Sequence, residues 1–428
     1  MVDGNSLYWG AAHFYPLAYQ SRGIGFEEWI SLLTLCLAPL IAHVASGAPC
    51  PSYISKDRPR WHDQICHFNP TSILFRYAAI SDRRIRALKW DNYTMAATNA
   101  LFWTGKGWDG SEEMLSRGFA HCAHMPEHSR VKLLSWEMAK TVIITLQGAQ
   151  PFYCLVCILI GSMDVNTNMA MDGIFPSLAI LGLLRLCAAM WLTGDFVYTT
   201  YPSSQSRPMT PTRSATIERS TEYKGSFDSL LDPEFFMPAP PEYRFHPPSY
   251  WPSRVFRAAF LIVILALAVL CTMFLVPWSK ATMYTTTSLM VGMMNIIYLA
   301  ASILSYGYYS FRGTSSTIIP CISSLWYKIY TIFLMTFMIA LVIISAIETR
   351  ETPCGKYTSL PGEVGDIATC VTPTSHLIPV HPGSGQWFGL VSGSWANGRP
   401  QISTQNFTGS CIGSLIEGEV YNATVSLA

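Results

Sequence analysis

The residue with the strongest chemical potential in this chain is Arg185, set inside the apolar run ILGLLRLCAAMWL at 180–192. A guanidinium stays charged and offers only donors. Within a membrane span it is expensive and ordinarily faces the bundle interior or a water-filled cavity. At about 1.5 Å per helical residue, Arg185 lies roughly 16 Å from the outer end of its run. Gln147, Gln150, His43 and Asn295 fall at middle to inner depths of neighbouring runs. Together the five define an expected intramembrane pocket for a small polar or anionic solute, with Arg185 as the charge partner. Two plainer readings stand beside it: Arg185 snorkels to the headgroups, or it bonds carbonyls in a structural role. No acidic residue lies mid-span, which argues against proton coupling.

A second set of residues points to a protein partner. Pro240-Pro241-Glu242-Tyr243 and Pro247-Pro248-Ser249-Tyr250 both fit PPxY. WW domains bind such segments because the proline pair already favours polyproline II, which lowers the ordering cost, and the tyrosine adds an apolar anchor. WW-domain ubiquitin ligases sort membrane proteins, so the motif implies trafficking control. The chain has 27 prolines, and a proline-rich linker can produce PPxY by accident. The second copy lies close to the next span, so Tyr243 is the better anchor. Upstream, SSQSRPMTPTRSATIERS at 203–220 has a disordered composition and offers phosphorylation sites.

The third set is His62, Cys66 and His67, followed by His121, Cys122, His124 and His128. Imidazole and thiolate are zinc ligands. However, Pro126 interrupts any helix that would align His124 with His128, and no CxxC lies on that stretch. Packed or solvated histidines are the expected reading, with no metal or other cofactor. Phosphate-binding loops, GxSxG and HExxH are absent, and the chain is read as a non-enzyme.

The elements that must position these residues are membrane spans. Half of the 428 residues are hydrophobic and 13% are charged, against about 25% charged in soluble domains. The net charge of +1 excludes nucleic acid as a main partner. From Ala258 to Trp278 the chain carries no charge, the length of about 20 apolar residues that crosses a bilayer core of about 30 Å. Further spans are expected at Trp29–Ser46, Thr141–Met163, Ile174–Gly194, Ser288–Tyr309 and Trp326–Ile347. The expected fold is therefore all-α: a polytopic bundle of about six spans.

Lysine and arginine near the span ends place the connections 47–140 and 195–254 inside, and both termini outside or in a lumen. The expected parts are an external segment 1–28, three spans over 29–194 and a disordered loop 195–254 carrying the PPxY motifs. Three further spans over 255–347 and an external tail 348–428 complete the chain. The tail is either a small β-rich cap or disordered. Its Asn406 and Asn422 head glycosylation triplets, while Asn92 lies on the inner side and stays unmodified. Cys354, Cys370 and Cys411 allow one bridge of undetermined pairing. Within 47–140, Thr71–Trp90 reads as a helix capped by Thr71 or Ser72. Its ring of arginines fits either a basic amphipathic helix on the anionic leaflet or a helix packed under the bundle.

The opening SLYWGAAHFYPLAYQ, the span after GFEEW and RPRWHDQICHFNPTSILFRY resemble multi-pass membrane proteins of filamentous fungi. The resemblance covers roughly the first third and implies a fungal source without bringing an activity. Two function classes follow from the residues. One is transport or sensing of a small polar or anionic solute, with cytoplasmic control of trafficking. The other is a membrane adaptor that recruits a WW-domain ubiquitin ligase.

Overall fold

A computed structural model describes residues 7–9, 12–160, 169–201, 244–275, 282–352, 355–362, 365–366, 369, 375–380, 390–396, 399–403 and 409–414. Helix α1 runs Phe26–Gly47. It begins where Glu28 turns back to accept the Gly25 N–H at 3.0 Å, and Glu27 and Glu28 complement the positive end of the helix dipole. A set of short elements follows: α2 Trp61–Gln64, α3 Pro70–Arg86, α4 Asn92–Asn99 and α5 Met114–Phe119. The long helices are α6 Trp136–Leu159, α8 Trp251–Leu275, α9 Thr286–Phe311 and α10 Leu325–Glu348, with the short α7 Pro176–Gly182 between α6 and α8.

Four helices are long and apolar enough to cross a membrane: Phe26–Gly47, Trp251–Thr272, Thr286–Phe311 and Leu325–Glu348. Each leaves most of its apolar window unburied. Ile262, Leu265 and Val269 of α8 are exposed, as are Ile332, Ile339 and Ile343 of α10. Large aliphatic side chains standing free over whole helix faces are surfaces for lipid, so the chain is an integral membrane protein.

The other two expected spans take different forms. Helix α6 has 24 residues and carries Pro151 inside, with Gln147 and Gln150 in the turn before it. The segment 174–194 is not one helix. Its α-helical part is the seven residues of α7, followed by a 3-10 stretch over Leu183–Cys187 and turns over 188–191. The tighter 3-10 winding rises about 2.0 Å per residue against 1.5 Å for α. The stretch 176–187 therefore covers about 20 Å.

Two ends of the bundle can be told apart by what they bind. At the tail end, buried Glu348 accepts the Thr286 and Thr287 N–H groups at 3.2 and 2.7 Å. A carboxylate there satisfies orphan donors at the start of α9. The Met171 N–H reaches Thr349 Oγ1 at 3.0 Å, and the Ser359 N–H reaches the Met169 carbonyl at 2.9 Å. Strands β1 Leu7–Trp9 and β2 Ala12–Phe14 pair there and continue, in parallel, to a strand at Thr282–Tyr284. The tail's described residues form three antiparallel strand pairs, 350–351 with 357–358, 375–380 with 409–414 and 390–396 with 399–403.

At the opposite end, the connection 47–140 is a folded module. Strands β3 Pro51–Tyr53, β4 Leu101–Thr104 and β5 Gly107–Asp109 make its sheet. Tyr93, Ala96, Phe102 and Met114 form a core that also takes in Phe196 and Phe245. Both ends of the connection expected to be disordered are thus folded: 195–201 and 244–250 pack on the module, and 202–243 lies outside the described residues.

Helix α3 takes the second of the two forms its sequence allows, packed under the bundle instead of lying on the leaflet. It spans 17 residues, capped by Asn69, whose Oδ1 accepts the Thr71 N–H at 3.0 Å; Pro70 sits where its missing N–H costs nothing. Nearly all of its faces are buried, including Arg76, Arg83 and Arg86. This burial excludes the leaflet reading and keeps the packed one, and it is Asn69, not Thr71 or Ser72, that caps the helix. The arginines go inside because acceptors from distant parts of the chain meet them there.

Candidate functional site

The clearest case of such compensation is Arg185, which is 1% exposed. Its Nε–H donates to Thr141 Oγ1 at 2.9 Å, and its Nη1 donates to the Ser46 carbonyl. Nη2 donates to the Glu137 carbonyl at 3.2 Å and to Glu137 Oε2 at 3.1 Å. Ser46 closes α1 and Glu137 opens α6. Arg185 thus sits level with helix ends, not at mid-span, because its segment is short and winds into 3-10. Its charge is neutralised and its donors are taken.

The five residues expected to converge do so only in part. His43 lies near Arg185, with its ring edge-on to Tyr77 at 6.4 Å; neither of its ring nitrogens has a partner. Asn295 is elsewhere, its Oδ1 accepting from the Ser177 hydroxyl at 2.6 Å. Gln147 is half-buried and Gln150 exposed. Gln147 and Gln150 stand about 9 and 13 Å along α6 from Thr141, out of reach of the guanidinium.

A second polar assembly was missed from sequence. The start of α3 is inserted between α9 and α10. Asn69 Nδ2 donates to Thr331 Oγ1 at 2.9 Å, and the Thr71 hydroxyl meets Ser302 and Tyr330, each at 3.0 Å. The Ser72 hydroxyl donates to the Cys66 carbonyl at 2.7 Å and meets the Tyr327 hydroxyl at 2.6 Å. Thr331 is about 9 Å inside the start of α10, and Ser302 about 14 Å inside the end of α9. The signal available in the sequence was the polar stripe Tyr327–Thr331 at i, i+4, facing Tyr298–Ser302 at the same spacing.

Beside this network lies a crevice of about 20 Å³, lined by His67, Ser72, Arg76, Asn99 and Thr317 among others. Arg76 donates to the Gly47 carbonyl at 2.9 Å and to the Asn99 carbonyl and Oδ1 at 3.0 and 3.3 Å. None of these acceptors is charged. Asn99 is itself fixed by its Nδ2 bonds to the Met95 and Trp191 carbonyls, at 2.9 and 2.7 Å. Burial lowers the Arg76 pKa to about 10, so the group remains cationic at neutral pH. The buried His67 ring stands edge-on to Trp108 at 4.4 Å, and its Nε2 has no partner. Burial first, then the charge of Arg76, push His67 down to about 3 against the opposing pull of Asp63. Asp63 is engaged by Lys328 at 2.5 Å.

A charged cluster ties the other half of α3 to the bundle. Asp82 takes Arg257 at 2.6 Å and Arg86 at 3.0 Å, and Arg86 also reaches Glu112 at 2.5 Å. Arg83 donates to the carbonyls of Gly110 and Ser315 at 2.6 and 2.8 Å.

The partner motifs fare unequally. Pro240, Pro241 and Tyr243 lie outside the described residues, as do Asn406 and Asn422. Pro247, Pro248 and Tyr250 are in view and form a turn, with the Tyr250 N–H on the Pro247 carbonyl at 2.9 Å. The Tyr250 ring stacks on His246 at 4.2 Å, so this copy is not extended. Cys354 and Cys370 also fall outside the described residues. The two His/Cys groups stay apart, His121 on the Thr199 carbonyl and His124 on Asp195, each at 3.0 Å. Among the described residues no cluster of His, Cys, Asp and Glu could hold a metal. No protein-family model, no curated protein and no solved structure matches the chain.

Proposed function

We propose that this chain is a six-crossing membrane protein that carries or senses a small polar or anionic solute, with its site at the inserted half of α3. The observation that carries the reading is Arg76: a buried cation, at the edge of a hydroxyl network, whose protein acceptors are all neutral. An uncompensated charge away from water is costly, and a ligand of opposite sign offsets that cost. Arg185, the residue that first suggested a solute pocket, is instead a structural tie.

Six crossings are supported by the course of 169–192. It starts beside Thr349 and Ser359 at the tail end and finishes beside Ser46 and Asn99 at the other. The density of basic residues makes the module end cytoplasmic, with both termini, Asn406 and Asn422 outside or in a lumen. Tyr243 then faces cytosolic WW domains and controls turnover. The adaptor reading rests on that one copy, since Pro247–Tyr250 is folded into a turn.

The test is reconstitution into liposomes with uptake of radiolabelled chloride, acetate and nitrate measured one at a time. The same three anions are then tried for thermal stabilisation of the protein in detergent. At least one anion should be taken up faster than in empty liposomes or should stabilise the chain, and Arg76→Gln should remove the effect. If none does either, the solute reading falls. Single cysteines at Ser214 and Ser392, labelled with an impermeant reagent, test the topology. Ser392 should react on intact cells and Ser214 only after permeabilisation.

A further inference from the structure

We infer that the crevice beside Arg76 binds one dehydrated monovalent anion of halide size. The inference rests on the reading of this crevice as a ligand site and specifies what enters it. Three observations select the class. The first is charge: no aspartate or glutamate lines the crevice, while Arg76 does, so a cation has no ligand there. The second is the donor set. Arg76 has five N–H groups and commits two of its nitrogens to neutral oxygens. His67, 6% exposed, presents an Nε2 with no partner. The Ser72 hydroxyl is already taken by Cys66 and Tyr327.

The third is size and wall chemistry. About 20 Å³ holds roughly one water-sized centre, which is too small for phosphate or sulfate. Ile73, Ile318, Ile319 and Ile322 complete the lining, and apolar walls favour an ion that sheds its hydration readily. A neutral His67 is suited to the role, donating Nε2–H without adding a second full charge to the crevice.

The experiment uses the purified full chain. Thermal unfolding is followed in sodium chloride, bromide and gluconate at equal ionic strength, and wild-type crystals grown in bromide are measured at the bromine absorption edge. The expected result is a midpoint that rises with chloride or bromide, saturates, and stays flat in gluconate. An anomalous peak should stand between Arg76 and His67. Arg76→Met should abolish the halide-dependent rise, while Arg312→Met, an exposed arginine, should keep it.

Equal midpoints in halide and gluconate, or a bromide map empty at Arg76, overturn the inference. Should Arg76→Met fail to fold, the wild-type bromide map decides alone. If halides fail but acetate or nitrate stabilises the protein through Arg76, the solute reading stands and this inference falls. Halide binding with no uptake of any anion keeps the inference and removes transport.

Discussion

Arg257 and Asp82 meet side-on, Nε to Oδ1 at 3.0 Å and Nη2 to Oδ2 at 2.6 Å, 175 residues apart in the chain. The pair joins the second turn of α8 to the far half of α3. Arg254, one turn earlier, is exposed and keeps the role of a basic flank. Arg257 has left that role to hold the 47–140 module against the bundle. Asp82 also serves Arg86 and the Ser253 hydroxyl, so one carboxylate collects donors from two helices.

Asp82→Asn is therefore expected to destabilise the protein by about 3–5 kcal/mol, since it leaves buried Arg257 without its counter-charge and Arg86 with Glu112 alone. Arg257→Gln should cost a similar amount, and the double variant less than the sum of the two, because the groups share one interaction. Burial pushes the Asp82 carboxyl up, but the Arg257 bonds and charge outweigh it, and the pKa is lowered in the folded state. The sign follows: this stabilisation is fully present above the unfolded carboxylate value of about 3.9. It is lost as pH falls through the lower folded value. Unfolding in detergent between pH 7 and pH 3 should show a drop below about pH 4 that Asp82→Asn lacks.

Arg185 separates structure from solute handling. Arg185→Gln should lower stability by about 1–3 kcal/mol by leaving the Ser46 carbonyl and the Thr141 hydroxyl without their donor, while Glu137 keeps Lys140 at 2.7 Å. Glu137→Gln should cost less, because its side chain is 21% exposed and water screens what remains. Uptake or ligand stabilisation, normalised to folded protein, should be unchanged in Arg185→Gln and lost in Arg76→Gln. The reverse pattern would return the site to Arg185.

The contact of α6 with α7 depends on Gly148. A Cβ there would stand 2.6 Å from the Ala179 carbonyl oxygen and 2.8 Å from the Leu183 side chain. Neither neighbour is a flexible tip. Gly148→Ala should destabilise by about 1–3 kcal/mol through overpacking. Ala149→Leu, on the exposed side of the same helix, should change stability by under about 0.5 kcal/mol. Thermal unfolding of the two variants side by side checks both.

What could be read in advance and what could not divides along the range of the interactions. The four apolar helices are local facts: they are predominantly apolar over a membrane's thickness, and the ends of three lie within three residues of expectation, while α8 begins seven residues before Ala258. The fate of α3 is not local. Its run of arginines has the composition of a surface helix, and only Gly110, Ser315, Asn99 and Arg257, all remote in sequence, reveal that it is buried. Arg185 was legible as a residue that must have a partner. Its partner was not legible, because a straight-helix estimate of depth cannot register a change to 3-10 winding. Asn69, Thr71 and Ser72 carried no signal of their own beyond that of a helix start.

The two PPxY copies should behave differently, and the reason is conformational. A WW domain needs an extended proline pair with a free tyrosine. In the second copy the Tyr250 N–H closes a turn on Pro247 and the ring is stacked on His246. His246 is in turn clamped to α3, its N–H on the Arg86 carbonyl at 2.7 Å and its carbonyl accepting Arg86 Nη1 at 3.1 Å. Opening this copy would break the contacts that seat 244–250 on the module. Binding of a purified WW domain to the full chain in nanodiscs should therefore fall at least tenfold in Tyr243→Ala and change little in Tyr250→Ala. Loss of binding in Tyr250→Ala alone would mean that the turn opens in solution, and with it the clamp between α3 and the start of α8.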